Sequence, residues 1–190
     1  MNLDIVCRES LGVLMGFFYF QHDAFKQICM VLDLDGYRIK SGFLLREMGW
    51  CTSQGVAQSL HFKSSHQYHQ LSAKDKRSVD HVYHNIHALP FEAAPEELAV
   101  PEHVAPQIVR CIYLTLCTPD RPLVAYKGGQ LERDLLRKLR IPAVNLEWWG
   151  CPRADQLGEC QLTCGFHHKN IGHCPLAETY LFHTWMQQQM

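Results

Sequence analysis

Three carboxylates lie in or beside two apolar runs of residues 30–51. Asp33 and Asp35 end the run ICMVLDL, and Glu47 lies inside the run FLLREMGWC. Side chains two residues apart on a strand point to the same face, so Asp33 and Asp35 would stand side by side. Neighbouring carboxylates are costly unless a cation lies between them, which favours Mg²⁺ or Mn²⁺ and phosphoryl chemistry. The alternative is a capping or turn pair before Gly36.

Glu132 belongs to a segment with helical periodicity, GQLERDLLRKLRI. It falls on the apolar face, with Leu135, Leu136 and Leu139. A glutamate on an apolar face requires a partner, which favours a functional carboxylate. The alternative is an acid in the first helical turn that the helix dipole stabilises.

His173 and Glu178 form an H-x4-E pattern where the last amphipathic helix opens at Pro175. In one interpretation His173 is a general base for water and Glu178 is a metal ligand. In the other, which the pair alone favours, both residues simply suit a helix N-terminus.

The stretch TCGFHHKNIGHC is dense in thiols and imidazoles. Cys164 and His167 have the C-x2-H spacing of a zinc ligand pair on a turn, and Cys174 adds a third ligand. The candidates for the fourth ligand are Cys151, Cys160 and Glu47. The alternative is a histidine-rich loop with free thiols.

The composition suits a single packed domain. The chain has 190 residues, of which 47% are hydrophobic, and a net charge of -1, so nucleic-acid binding would require a local patch. We expect one domain over residues 1–190, with its core at about 28–187. The apolar run Leu11–Phe20 is shorter than the roughly 20 residues of a membrane span and lacks a cleavage site.

Nine cysteines without a signal peptide indicate a reducing compartment, in which the cysteines are thiols or metal ligands. We therefore expect a protein of the cytoplasm or nucleus that is neither secreted nor in a membrane.

The first strands are predicted to form an antiparallel meander: ICMVLDL, a turn at GYRIKSG, then FLLREMGWC and AQSLHF. Further on, strands PLVAYKG and PAVNLEWW alternate with helices, which predicts an α/β fold.

These motifs together resemble DEDDh-type (DnaQ-like) exonucleases, which have an RNase H-like fold. VLDLDGYRI, LVAYKGGQLERDLL and HCPLAE are similar in order and spacing to that family's acidic motifs, and HNIHALPFEAAPEEL to its H-G-I segment. The resemblance implies a mixed sheet flanked by helices. It implies the catalytic set Asp33, Asp35, Glu132, His173 and Glu178. Three of the four acids are exchanged between Asp and Glu, and Lys127 stands where the family has asparagine.

The segment REMGWCTSQGVAQSLHF, followed by HNIHALP, is also similar to the Maelstrom domain of the piRNA pathway, a DnaQ-like offshoot. That family carries an E-C-H-C set proposed to bind zinc. The resemblance implies the ligands Glu47, Cys164, His167 and Cys174, with His168 as an alternative to His167. The zinc of a closed, tetrahedral site would be structural and would belong to a C-terminal zinc-binding loop.

Two functions compete. The first is a Maelstrom-like module with a structural zinc that binds single-stranded RNA or DNA, or partner proteins of small-RNA silencing. The second is a nuclease dependent on Mg²⁺ or Mn²⁺. Phosphate contacts would come from Lys127, Arg133 and Arg137. Trp148 and Trp149 could stack bases, but a core position at a strand end is favoured for both.

Overall fold

A computed structural model describes residues 23–167 and 173–190. The apolar run Leu11–Phe20 and the alternative ligand His168 lie outside the described residues. Within them the chain forms one sheet with helices on both faces. This confirms the α/β class and the mixed sheet flanked by helices.

The sheet has six strands in the order β4-β3-β2-β1-β5-β6. They are β1 (Ile28–Ile39), β2 (Gly42–Thr52), β3 (Ala57–Lys63), β4 (Ala99–Pro101), β5 (Leu123–Tyr126) and β6 (Ala143–Asn145). The first three form the expected antiparallel meander, and the remaining neighbours pair in parallel. The long strand β1 therefore lies inside the sheet, between β2 and β5.

In the described part of the chain, residues 23–26 are helical and four longer α-helices lie around the sheet: α1 (Ala73–Val82), α2 (Ala105–Leu116), α3 (Gln130–Leu139) and α4 (Pro175–Gln188). A π-helical segment, Tyr83–His87, continues α1. One core cluster packs α2 and α3 against a face of the sheet that includes Leu32 and Leu34. The other face, which includes Val31, is covered by α4. Because side chains alternate along β1, Asp33 and Asp35 belong to the α4 face.

Gly49 allows α4 to begin directly on the sheet. A Cβ atom at this position would lie 2.2 Å from the backbone carbonyl of Pro175. Gly49 is also the cross-strand partner of Asp33. The start of α4 is therefore held over the acidic end of β1.

Two element predictions need correction. The predicted turn at GYRIKSG is shorter, because β1 continues to Ile39 with Tyr37 and Ile39 buried and Arg38 exposed. Gly36 lies at a register shift of the β1–β2 pair rather than in the turn. In PAVNLEWW, strand β6 ends at Asn145, whose side chain accepts a hydrogen bond from the Glu147 N–H and starts a 3-10 helix.

Candidate metal centre and acidic cleft

The described part of the chain contains one group of Cys, His and carboxylate side chains whose ligand atoms all lie within 4.8 Å of one another. Its members are Glu47, Cys164, His167 and Cys174. Three sequence elements contribute: β2, the loop after residue 160, and the residue before α4. These four residues are the predicted E-C-H-C set. Of the alternatives for the fourth ligand, Cys151 is buried in the core beneath α4. Cys160 lies in a groove of about 790 Å³ beside the group.

His167 has the hydrogen bonds of a metal-binding histidine. Its Nδ1 donates to the backbone carbonyl of His87, which fixes the orientation of the ring. Its Nε2 lies 2.8 Å from Oε2 of Glu47 and is directed into the group. A ligating histidine commonly donates its second ring N–H to a carbonyl in this way.

The electrostatics of the group favour ionised Cys174 and Glu47. A hydrogen bond from Cys164, helped by one from His167, lowers the pKa of Cys174 to about 5. Burial raises the pKa of Glu47, but the hydrogen bond with His167 and the proximity of the His61 imidazole outweigh it, so the pKa falls to about 2. Burial lowers the pKa of His167, but hydrogen bonding with Cys174 and Glu47 outweighs it and raises the pKa to about 10, so a metal ion would displace a proton from this ring. The hydrogen bond to Cys174 raises the pKa of Cys164, whose proton a metal ion would displace. Two thiols, one imidazole and one carboxylate make a donor set that fits a metal such as zinc.

The predicted acids meet in a second cluster at β1, where Asp33 and Asp35 lie on the α4 face and Glu132 reaches the backbone of β1 from α3. The charges of Glu178, Glu132 and Asp35 all act on Asp33, so the four carboxylates are neighbours. Oε1 of Glu132 accepts a hydrogen bond of 3.0 Å from the Leu34 N–H, between the two aspartates. Its Oε2 is buried without a hydrogen-bond partner and lies where a Cβ of Gly129 would be, at 1.7 Å.

Burial and mutual repulsion keep protons on this cluster. Burial, followed by the charges of Glu178 and Glu132, raises the pKa of Asp33 well above its usual range. Burial and the charge of Glu178 raise the pKa of Asp35 to about 7, and burial raises that of Glu132 to about 7. A buried carboxylate oxygen without a partner and raised pKa values show that this cluster is costly to ionise, a cost that a bound cation would lower. The acids are more widely spaced than the first group, which alone among the described residues has all ligand atoms within 4.8 Å.

His173 and Glu178 form the pair that their spacing suggested. His173 Nδ1 lies 2.7 Å from Oε1 of Glu178, and this hydrogen bond raises the pKa of His173. Both line a cleft of about 370 Å³, with Lys127 and Arg153 among its other lining residues. Cations and a His–Glu pair therefore face the same space.

The other predicted nucleic-acid contacts differ in exposure. Arg133 and Arg137 are exposed on α3, one turn apart, whereas Lys127 is half-buried in the cleft.

Trp149 packs edge-to-face on Phe25 with ring centroids 5.0 Å apart, as expected for a core residue. Trp148 is 74% exposed, so the core assignment was wrong for this residue. The 3-10 helix turns the two rings in different directions.

A buried charge network next to Glu47 was not predicted from the sequence. Arg46 donates to both carboxylate oxygens of Glu97, at 3.0 and 3.1 Å, and His61 Nδ1 lies 2.8 Å from Oε1 of Glu97. In the β1–β2 pair, Asp35 faces Glu47 and Gly36 faces Leu45, which leaves Arg46 as the bulged residue. A bulge re-aims the side chain it carries. The sequence signal that could have indicated this network was Arg46, which lies beside Glu47 in a run that is free of other charged residues.

No family model, curated protein or solved structure matches this chain. Among the residues that the structure describes, no helix has the length and apolar character needed to cross a membrane.

Proposed function

We propose that this chain is a Maelstrom-like module with an RNase H-like fold that binds single-stranded RNA or DNA and carries a structural zinc ion. The observation that carries the proposal is the convergence of Glu47, Cys164, His167 and Cys174. This is the ligand set that the resemblance implied. The antiparallel meander continued by parallel strands, with helices on both faces, supports the RNase H-like fold. Small-RNA silencing is the biological process that the resemblance suggests.

Four side chains would hold the zinc ion. Glu47 comes from the centre of the sheet, Cys164 and His167 from the loop, and Cys174 from the start of α4. Zinc, when bound, supplies a cross-link between these three elements. The binding energy of such a site contributes to folding, because the unfolded chain does not hold the ligands together.

Nucleic acid would bind along the rim of the cleft. Lys127 and Arg153 line it, with Asp155 as the ion-pair partner of Arg153, and Arg133 and Arg137 are exposed on α3. The exposed ring of Trp148 offers a stacking platform that tolerates any base. With a net charge of -1 on the whole chain, this local patch has to provide the attraction for phosphates.

The acidic cluster favours a second function, which is cleavage of the bound strand. Asp33, Asp35, Glu132 and Glu178 would hold Mg²⁺ or Mn²⁺, and the partnerless oxygen of Glu132 is a free ligand position. The divalent ions, when bound, supply charge stabilisation for the attacking and leaving oxygens. Next to Glu178, His173 is placed to take a proton from the attacking water.

Metal content and cleavage, measured on one preparation, test both functions. Elemental analysis of the purified protein should find one zinc ion per chain. Labelled single-stranded RNA is then incubated with Mg²⁺ or Mn²⁺, using wild type, Asp33→Asn and the control Asp120→Asn, which changes an exposed aspartate in a turn. Binding of the same RNA is measured by fluorescence anisotropy.

The outcomes separate the two functions. Zinc and RNA binding without cleavage support the binding module. Cleavage that Asp33→Asn abolishes and Asp120→Asn retains supports the nuclease. Cleavage that survives Asp33→Asn excludes the nuclease as described, and a protein without zinc and without RNA binding refutes the first proposal.

A further inference from the structure

His61 on β3 is the cross-strand partner of Glu47 on β2. Its Nε2 lies 3.7 Å from Oε1 of Glu47, which is longer than a hydrogen bond and forms an ion pair only when both ring nitrogens carry a hydrogen. Nε2 is buried and has no hydrogen-bond partner. A buried polar atom without a partner is costly, and this one is directed at a candidate metal ligand.

The other ring nitrogen of His61 is held in place. Nδ1 lies 2.8 Å from Oε1 of Glu97, and a carboxylate oxygen there can only accept, so this nitrogen carries the hydrogen. The same carboxylate receives two hydrogen bonds from Arg46, which also donates to the backbone carbonyls of Phe62 and Pro90. Both side chains are almost completely buried, at 0% exposed for Arg46 and 1% for Glu97. The ring of His61 is therefore fixed by a guanidinium and a carboxylate that cannot easily move.

A second contact joins His61 to the ligand loop. The ring of Phe166 meets it edge to face, with centroids 4.6 Å apart. Phe166 precedes the candidate ligand His167 and follows Cys164 by two residues. His61 therefore contacts Glu47 on the sheet and Phe166 in the loop that carries Cys164 and His167.

We propose that His61 is a positioning residue of the metal centre, which holds the Glu47 carboxylate toward Cys164, His167 and Cys174. Glu97 and Arg46 in turn hold the imidazole. The proposal rests on the zinc centre proposed above and adds a supporting layer that the ligand set does not include. Partners in this outer layer fix the orientation of ligands, and their loss typically weakens metal binding by about 10–100-fold.

Zinc affinity and a cobalt spectrum test the proposal in the full chain. His61→Asn places an amide nitrogen near the position of Nδ1, so it can keep the contact with Glu97 while removing Nε2. Glu97→Gln removes the carboxylate charge that binds His61 and Arg46 without changing the volume of the side chain, so the ring is held more weakly. The control is His183→Asn, since His183 is also buried but bonds to the Ser53 carbonyl away from the ligands. Affinity is measured by competition with a chromogenic chelator, and Co²⁺ absorption reports the ligand geometry.

We expect His61→Asn to lower zinc affinity by about 10–100-fold and to change the Co²⁺ spectrum, with a smaller loss in Glu97→Gln and none in His183→Asn. A folded His61→Asn protein with wild-type affinity and spectrum overturns the positioning role and leaves the zinc centre standing. A His61→Asn protein that stays unfolded at saturating zinc also overturns it, because His61 would then serve the core. A wild-type protein that binds no zinc refutes the parent proposal.

Discussion

Glu47 on β2 lies directly opposite Asp35 on β1 in the antiparallel register. Side chains of such a pair share one face of the sheet, so a ligand of the candidate metal centre stands beside an acid of the cleft. The start of α4 repeats this arrangement, since His173 contacts Glu178 and its neighbour Cys174 belongs to the metal group. The two sites are therefore adjacent, both across the β1–β2 pair and at the start of α4.

Loss of a thiol ligand should remove the zinc and destabilise the domain. We expect Cys164→Ser to lower the zinc content well below one per chain and to reduce the free energy of unfolding by about 3 kcal/mol. For a chain of this size that corresponds to a fall in Tm of roughly 6–12 °C. Elemental analysis and thermal unfolding measure the two effects. Cys111→Ser, which changes an exposed cysteine on α2, is the control and should alter neither.

The acidic cluster should make stability depend on pH in divalent-free buffer. Burial raises the pKa of Glu132 from 4.5 to about 7, so the folded protein keeps a proton that the unfolded chain loses between these values. The contribution of Glu132 is therefore most favourable below pH 4.5 and is lost as pH rises toward 7. Glutamine does not titrate, so Glu132→Gln should gain about 1–3 kcal/mol relative to wild type between pH 4.5 and 7.5.

Urea unfolding at both pH values measures that difference. Glu147→Gln, which changes an exposed glutamate, should show no gain. An equal pH dependence in wild type and Glu132→Gln would mean that this carboxyl ionises normally in the folded protein.

Gly129 sets the position of the Glu132 carboxylate. An alanine Cβ there would lie 1.7 Å from Oε2 and 2.8 Å from Cδ, so the side chain of Glu132 would have to move. The backbone tolerates the change, because φ of Gly129 is -49°. We expect Gly129→Ala to fold and to bind Mn²⁺ about 10-fold more weakly in a calorimetric titration. Adding Gly129→Ala to Glu132→Gln should cost nothing further, and additive losses would contradict this explanation.

The arginines of α3 should control the salt dependence of nucleic-acid binding. Each phosphate contact on single strands contributes about 0.7 to the slope of log affinity against log salt concentration. We expect the double variant Arg133→Gln, Arg137→Gln to lower that slope by roughly 1.4, measured by anisotropy at several salt concentrations. Arg110→Gln, an exposed position on α2, should leave it unchanged. An unchanged slope in the double variant would place the phosphates elsewhere.

The exposed indole of Trp148 should contribute through stacking rather than charge. We expect Trp148→Ala to weaken binding by about 1–3 kcal/mol with the salt slope retained. Leu98→Ala, which truncates a side chain that is 91% exposed, controls for loss of apolar surface. Wild-type affinity in Trp148→Ala would remove this residue from the binding surface.

Local patterns in the sequence were sufficient to predict which residues would meet in most of this site. Strand alternation placed Asp33 and Asp35 together, helical spacing placed Glu132 on a buried face, and density of ligand types identified Cys164, His167 and Cys174. The link between Glu47 and these ligands came from the resemblance, because 117 residues separate Glu47 from Cys164.

The contacts that escaped prediction depend on tertiary structure. Glu97 binds Arg46 from a loop that lies 51 residues further along the chain. A loop has no periodic pattern from which its position in the fold could be predicted. The turn at Gly36 was placed too early because glycine is common in turns, whereas here it sits where β1 and β2 shift register. Trp148 and Trp149 are identical in type, and the turn of the backbone alone decides which one is exposed.

The bulge at Arg46 is a one-residue insertion in an otherwise regular pairing. If Arg46 were deleted, Gly36 would still pair with Leu45 and Asp35 with Glu47, so Glu47 would keep its place opposite Asp35. The loss would fall on the guanidinium that binds Glu97, and with it on the buried support of His61. The insertion thus adds a buried cation beside the metal centre without altering the register of Glu47.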